Sequence, residues 1–220
     1  MRYPVNEIFE TIQGEANYTG TPAIFIRLQG CPVGCGWCDT KHTWYLDAQD
    51  KTIVGTIIIK KEDSSLYAYM DSECIYASIR DYSAKHVVIT GGEPCLYDLN
   101  ELCNYLDAKG YTTQIETSGT HEIRAPLSAW VTVSPKIDMA GGFKVLPETL
   151  LRADEIKHPV GKQKDVDNLL NLLADMPQYY SKTWLQPLSQ SKSATALCVK
   201  TAIKHGFRVS LQTHKYLGVR

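Results

Sequence analysis

Seven short apolar runs recur along this chain of 220 residues, and each ends in a polar or glycine-bearing segment. They are AIFIRL (Ala23–Leu28), HVVIT (His86–Thr90), TTQIE (Thr112–Glu116), WVTV (Trp130–Val133), EIKH (Glu155–His158), WLQPL (Trp184–Leu188) and FRVSLQ (Phe207–Gln212). The segments that close them read QGC, TGGEP, ETSGT, SPK, HPVG, QPLS and QTHK. Runs of this length suit strands. Between several of them lie stretches with helical spacing and capping residues: Asp71/Ser72 before one helix, Asp98 opening 98–109, Pro147 opening 147–153, with Gly110 and Gly206 at C-cap positions. Strand, turn and helix in repeated succession predict a parallel α/β sheet of six to seven strands. It is either open and doubly wound or an incomplete barrel, because a full eight-fold barrel typically takes about 250 residues. In both architectures chemistry gathers at the C-terminal strand ends. The chain reads as one domain over 1–220 with an insertion at 44–71. That insertion holds a possible strand at Thr56–Lys60 and is expected to be a solvated connection rather than a lid.

The stretch GCPVGCGWCDT (Gly30–Thr40) follows the first run and carries Cys31, Cys35 and Cys38 in a C-x3-C-x2-C spacing. Three metal-site or cross-link chemistries compete for such a cluster. A formal net charge of −1 offers no bulk attraction for a nucleic-acid backbone or an anionic membrane. No apolar run approaches the ~18–20 residues that span a bilayer, and MRYPVNEIFE lacks a secretory h-region. A cytoplasmic protein is expected, where thiols stay reduced. The total of seven cysteines is odd, which also opposes a fully paired disulfide framework. Structural zinc takes four protein ligands, often as two C-x2-C pairs. Here Cys74, Cys95, Cys103 and Cys198 stand alone, and Cys103 and Cys198 read as small buried hydrophobes on helices. Three thiolates suit a 4Fe–4S cluster with one iron free of protein ligands, open to a small molecule.

The triplet resembles the signature of the radical S-adenosylmethionine enzymes. Further stretches narrow the resemblance: EIFETIQGE (Glu7–Glu15), TPAIFIRLQGCP (Thr21–Pro32), WCDTKHTW (Trp37–Trp44), VVITGGEP, QIETSGT, VTVSPK (Val131–Lys136) and RVSLQTHKYL. Together they are similar to the 7-carboxy-7-deazaguanine synthases, over most of the chain. The resemblance implies an incomplete parallel β/α barrel acting as a homodimer. It also implies a 4Fe–4S cluster on Cys31, Cys35 and Cys38, whose open iron chelates S-adenosylmethionine and on one-electron reduction yields a 5′-deoxyadenosyl radical. The implied reaction converts 6-carboxy-5,6,7,8-tetrahydropterin to 7-carboxy-7-deazaguanine with loss of ammonia, on the way to queuosine or a related deazapurine. An external electron donor of flavodoxin type would supply the reduction.

The same resemblance assigns S-adenosylmethionine to Trp37, Cys38, Asp39, Gly92, Ser134, Pro135, Lys136, Gln186, Pro187, Leu188 and Ser189. It assigns the pterin to Ile12, Gln13, Gly14, Arg27 and Thr90, and Mg2+ to Thr40. Read without it, Asp39 is an Asx-turn residue and Ile12–Gly14 a turn. Arg27, set among bulky apolar neighbours, needs an anion: an internal Asp or Glu would serve, and the resemblance supplies the substrate carboxylate instead. Glu116 is a polar group at a strand end, whereas His158, His214 and Lys215 read as structural. No residue resembles a general base of the Ser–His or Cys–His kind, which suits chemistry carried by a cofactor. Two other readings share parts of this pattern: a small activase of a glycyl-radical enzyme, and a non-catalytic iron–sulfur or zinc protein.

Overall fold

The computed structural model describes residues 1–219. Nine strands form one sheet: β1 (Tyr3–Ile12), β2 (Pro22–Leu28), β3 (Ala68–Met70), β4 (His86–Gly91), β5 (Thr112–Thr117), β6 (Trp130–Val133), β7 (Glu155–Val160), β8 (Thr183–Pro187) and β9 (Arg208–Val209). The order is β3-β1-β2-β4-β5-β6-β7-β8-β9. From β2 to β9 every neighbour is parallel, while β1 runs antiparallel to both β2 and β3. All seven expected runs are therefore strands of an incomplete barrel, though the last contributes only Arg208–Val209. Helices α1 (Val54–Ile58), α2 (Ser72–Ile79), α3 (Asn100–Ala108), α4 (Pro147–Arg152), α5 (Gln163–Leu172), α6 (Lys192–His205) and α7 (Thr213–Leu217) complete the fold. The capping signals act locally, as read. Asp71 accepts the amide of Cys74, Asp98 accepts that of Asn100, and Gly206 ends α6 at φ 74°.

A parallel sheet covered on both faces normally carries apolar residues on both; this one does not. Val87, Ile89, Ile115, Val131, Val133 and Ile156 point outward into the layer beneath the helices. The alternate residues point inward and are largely polar: Arg27, His86, Thr90, Gln114, Glu116, Thr132, Glu155 and Lys157. Gln114 alone bridges His86 on one side and Thr132 on the other. A polar lining buried at this depth is stable only because its members satisfy one another.

Three elements depart from the sequence expectation. The ten-residue β1 carries Pro4, Asn6 and two glutamates, so no apolar run announces it. A register shift between Val5 and Glu7 returns Glu7 and Phe9 to the inner face. Thr56–Lys60 is not a strand: Val54–Ile58 forms a single helical turn over β1, which buries Ile57 and leaves Ile59 exposed. The segment is not a solvated connection either, since it supplies β3 and buries Tyr67, Ala68 and Met70. Its anchor is Lys60, whose ammonium donates to Asn6 O, Asn6 Oδ1 and Ser64 O at 2.8–3.1 Å. The gap between the two ends of the barrel is bridged by the turn after β1. Gly14 O accepts from the Thr213 amide and Ser210 Oγ from the Ala16 amide, both at 2.9 Å.

Candidate active site

The C-terminal strand ends surround a cavity of about 360 Å³. Its rim at β2 is the cysteine loop. Gln29, buried at the root of that loop, donates to the carbonyls of His42 and Tyr45 and accepts from Asn6. The Gly30 amide meets Thr43 O at 2.7 Å and the Cys31 amide meets Trp44 O at 2.9 Å, closing the neck of the loop. Cys31, Cys35 and Cys38 all line the cavity, and all seven cysteines are free. Among the described residues no His, Cys, Asp and Glu side chains converge as a single metal ion would need. Three thiols on one loop are the donor type that a cubane iron–sulfur cluster takes. Burial raises the Cys31 thiol to about 11 and raises that of Cys35, although Lys136 opposes the second effect. A metal centre bound by these thiols would have to displace their protons.

Beside this loop the turn after β4 is built from close backbone approach. Gly91 has φ +122°, and a methyl group on Gly92 would lie 2.1 Å from Gly30 O. The next residue, Glu93, is buried with its carboxylate fully engaged. It accepts from the Cys95 amide (2.9 Å), Thr117 Oγ1 (2.6 Å), and the amide and hydroxyl of Ser118. Glu93 thus shapes the turn, while the glycines present backbone to the cavity. Opposite, Lys136 bonds Ser134 Oγ at 2.5 Å and lies 5.0 Å from the centre of the Trp37 ring. Burial lowers its pKa. After β8, Ser189 sits in the left-handed region (φ 53°, ψ 24°), a rare state for a non-glycine residue and one often found at ligand sites. Thr40 Oγ1 lies 3.5 Å from Cys38 Sγ, which leaves a hard oxygen donor next to the soft ones.

The inner wall is formed by β1 and β2. Phe9 and Phe25, paired across the strands, stack at 5.4 Å with 11° between planes. In the neighbouring pair Arg27 Nε donates to Glu7 Oε1 at 2.5 Å. Arg27 thus has an internal anion and also borders the cavity. The floor is a buried network centred on Lys157. Its ammonium contacts Glu15 (2.5 Å) and Glu116 (3.1 Å). Glu15 accepts further from Gln186 (3.0 Å) and Gln212 (2.9 Å), and Gln13 donates to Glu116 (3.1 Å). Burial alone would raise Glu15, but the Lys157 charge outweighs it and holds that carboxyl at about 2. Burial would equally depress Lys157, yet Glu116 and Glu15 together raise it above its ordinary value.

Three comparisons bear on this arrangement. The Radical SAM superfamily model matches residues 25–132. The 7-carboxy-7-deazaguanine synthase of Escherichia coli (strain K12) is 52% identical, over 100% of both chains. The chain belongs to that family. The synthases of Buchnera aphidicola subsp. Schizaphis graminum (strain Sg), 48% identical over 100% of both chains, and Synechocystis sp., 32% identical over 99% of this chain and 94% of the relative, are further members. A crystal structure of QueE from Escherichia coli superposes with a TM-score of 0.91 at 51% identity, covering 96% of this chain and 94% of that one. Membership of the radical S-adenosylmethionine superfamily brings a 4Fe–4S cluster and S-adenosylmethionine as cofactors.

Of the residues singled out in the sequence for this family's site, all but Gly14 and Pro135 border the main cavity. Gly14 lies beneath His214, where a methyl group would fall 2.2 Å from its ring nitrogen. Pro135 lines a small neighbouring hollow with His158 and Leu188. The Gln13 amide group, read as a substrate contact, is buried and already bonds Glu116 and the Glu15 amide. Sequence reasoning passed over Glu15, Lys157 and Gln212. A signal for Lys157 existed: a cation inside EIKH demands an anion for the same reason Arg27 does within AIFIRL.

Proposed function

We propose that the chain is a 7-carboxy-7-deazaguanine synthase, converting 6-carboxy-5,6,7,8-tetrahydropterin to 7-carboxy-7-deazaguanine and ammonia. Product and ammonia together account for every atom of the substrate, so no net oxidant is consumed. The observation that carries the reading is the meeting of three free thiols, a glycine-built turn and a cavity-facing arginine around one opening. Cys31, Cys35 and Cys38 would hold the cluster, Thr40 would present oxygen to Mg2+, and Asp39 beside it would face S-adenosylmethionine. Bound there, the cluster and S-adenosylmethionine supply a radical able to abstract hydrogen from an unactivated carbon.

The chain's own residues bind, orient and exclude water. Trp37, Gly92, Ser134, Lys136 and the turn Gln186–Ser189 border the cavity on the cofactor side, with Pro135 just behind them. On the other side, Arg27 can take the substrate carboxylate with the part of its fork that Glu7 does not use. The stacked Phe9–Phe25 face suits a flat heterocycle. Ile12, Gln13 and Thr90 complete that wall, with Gln13 acting through Glu116 and Gly14 set behind it under His214. A cytoplasmic homodimer served by a flavodoxin-like donor, with 1–220 as a single domain and 44–71 as its insertion, completes the proposal. The single domain is supported by the continuous sheet, and the cytoplasm by a site that uses reduced thiols. No helix among the described residues is long and apolar enough to cross a membrane.

Anaerobic turnover of the reconstituted protein with 6-carboxy-tetrahydropterin, followed by chromatography, is the test. The deazaguanine product should form with the parent chain and vanish with Cys31→Ala. No product from a protein carrying its full complement of iron sinks the reading.

A further inference from the structure

The cysteine loop has a second support that no cysteine motif contains. The segment 137–142, between β6 and α4, folds back over Cys31–Cys35. The Gly141 amide donates to Val33 O at 3.0 Å. A methyl group at Gly141 would stand 2.1 Å from Pro32 O, 2.9 Å from Val33 O and 3.1 Å from Pro32 C, all backbone atoms that cannot swing aside. The fit is reciprocal. Gly34, at φ +71°, faces back toward the Gly141 nitrogen and Ala140, with 3.2 and 3.3 Å available to a side chain there. Five residues upstream of Gly141 and just before this segment, Lys136 lies over Trp37 within the cysteine motif. One stretch of chain therefore touches the loop at both of its intervals, between Cys31 and Cys35 and between Cys35 and Cys38.

We infer that Gly141 is a positioning residue for the iron–sulfur centre: its missing side chain lets 137–142 clasp the Pro32–Val33 peptide and hold the spacing of Cys31 and Cys35. This rests on those cysteines holding the cluster, as proposed above. No positive φ is involved at Gly141, so alanine there tests steric closeness alone. The clasp also joins the cysteine loop to the Ser134–Lys136 turn, so a displacement at one end reaches the other.

The experiment compares the parent chain with Gly141→Ala after anaerobic reconstitution. Circular dichroism and the melting curve of the cluster-free protein report folding; bound iron during dialysis and the electron paramagnetic resonance spectrum, with and without S-adenosylmethionine, report the centre. Gly141→Ala should fold like the parent, lose iron on the order of tenfold faster, and show a weakened spectral response to S-adenosylmethionine. Parent-like iron retention together with a parent-like spectrum overturns the inference. Should Gly141→Ala fail to fold, hydrogen exchange on the parent chain decides. Cluster loading that slows exchange at 137–142 along with 31–38 supports the clasp, and slowing confined to 31–38 overturns it. A parent chain that takes up no iron at all instead removes the proposed function, and the clasp with it.

Discussion

Arg27 and Lys157 are both cations set in the inner face of parallel strands, but they are answered differently. Arg27 meets one carboxylate, Glu7, through Nε and keeps an edge on the cavity. Lys157, with its side chain 7% exposed, is enclosed by two carboxylates, Glu15 from the turn after β1 and Glu116 from β5. A planar fork can serve an internal partner and a ligand at once, whereas a compact ammonium between two anions has little left to offer. The first arrangement suits recognition. The second ties the turn after β1 to β5 and β7, and through Gln186 and Gln212 to the far end of the sheet.

The most severe test of this contrast is Lys157→Met. It leaves Glu15 and Glu116 facing each other with no cation, so the chain should lose about 3–5 kcal/mol in urea unfolding. A loss below about 1 kcal/mol would put the triad in the class of surface pairs. Arg27→Lys comes next. It keeps the charge beside Glu7 but removes the fork, so stability should move by less than about 1 kcal/mol. With a charged hydrogen bond of about 1.5–3 kcal/mol gone from the substrate, kcat/KM should fall roughly ten- to a hundredfold. An unchanged kcat/KM alongside lost stability would make Arg27 as architectural as Lys157.

The last test is the pH dependence of unfolding. Burial holds His158 down at about 4, below its ordinary 6.5, so the unfolded chain binds that proton first. Stability should accordingly fall as pH drops from about 6.5 towards 4. Glu15, held at about 2 against an ordinary 4.5, contributes stability that is present above 4.5 and is lost below it. His158→Gln should flatten only the upper limb of this profile and Glu15→Gln only the lower. If neither variant alters its limb, the burial argument for both groups fails.

What could be read from residues follows from the range of the forces involved. The cysteine spacing, the glycines at Gly91 and Gly92 and the caps at Asp71 and Gly206 act over a few residues, so they are written in consecutive letters. β1 was illegible because its apolar and polar residues alternate around a register shift, and the pairing that makes it a strand lies in β2 and β3. Thr56–Lys60 misled because three adjacent isoleucines look like a strand when only Ile57 finds an apolar neighbourhood. Gln13 was legible only in part. Its place near the cavity was legible, but its partner Glu116 lies 103 positions away.

By itself, then, the sequence determined the seven parallel runs, the thiol loop, and a chemistry for three thiols that lack a fourth. Each is a matter of local spacing and residue type. Only the tertiary structure decided how the barrel's open edge is bridged, which charges neutralise one another, and that Gly141 rests on Pro32. The Lys157–Glu15 contact joins residues 142 positions apart, and no periodicity carries information over such a distance. Charges buried inside a barrel must find partners among whatever the other strands present. That choice exists only once the sheet has curled.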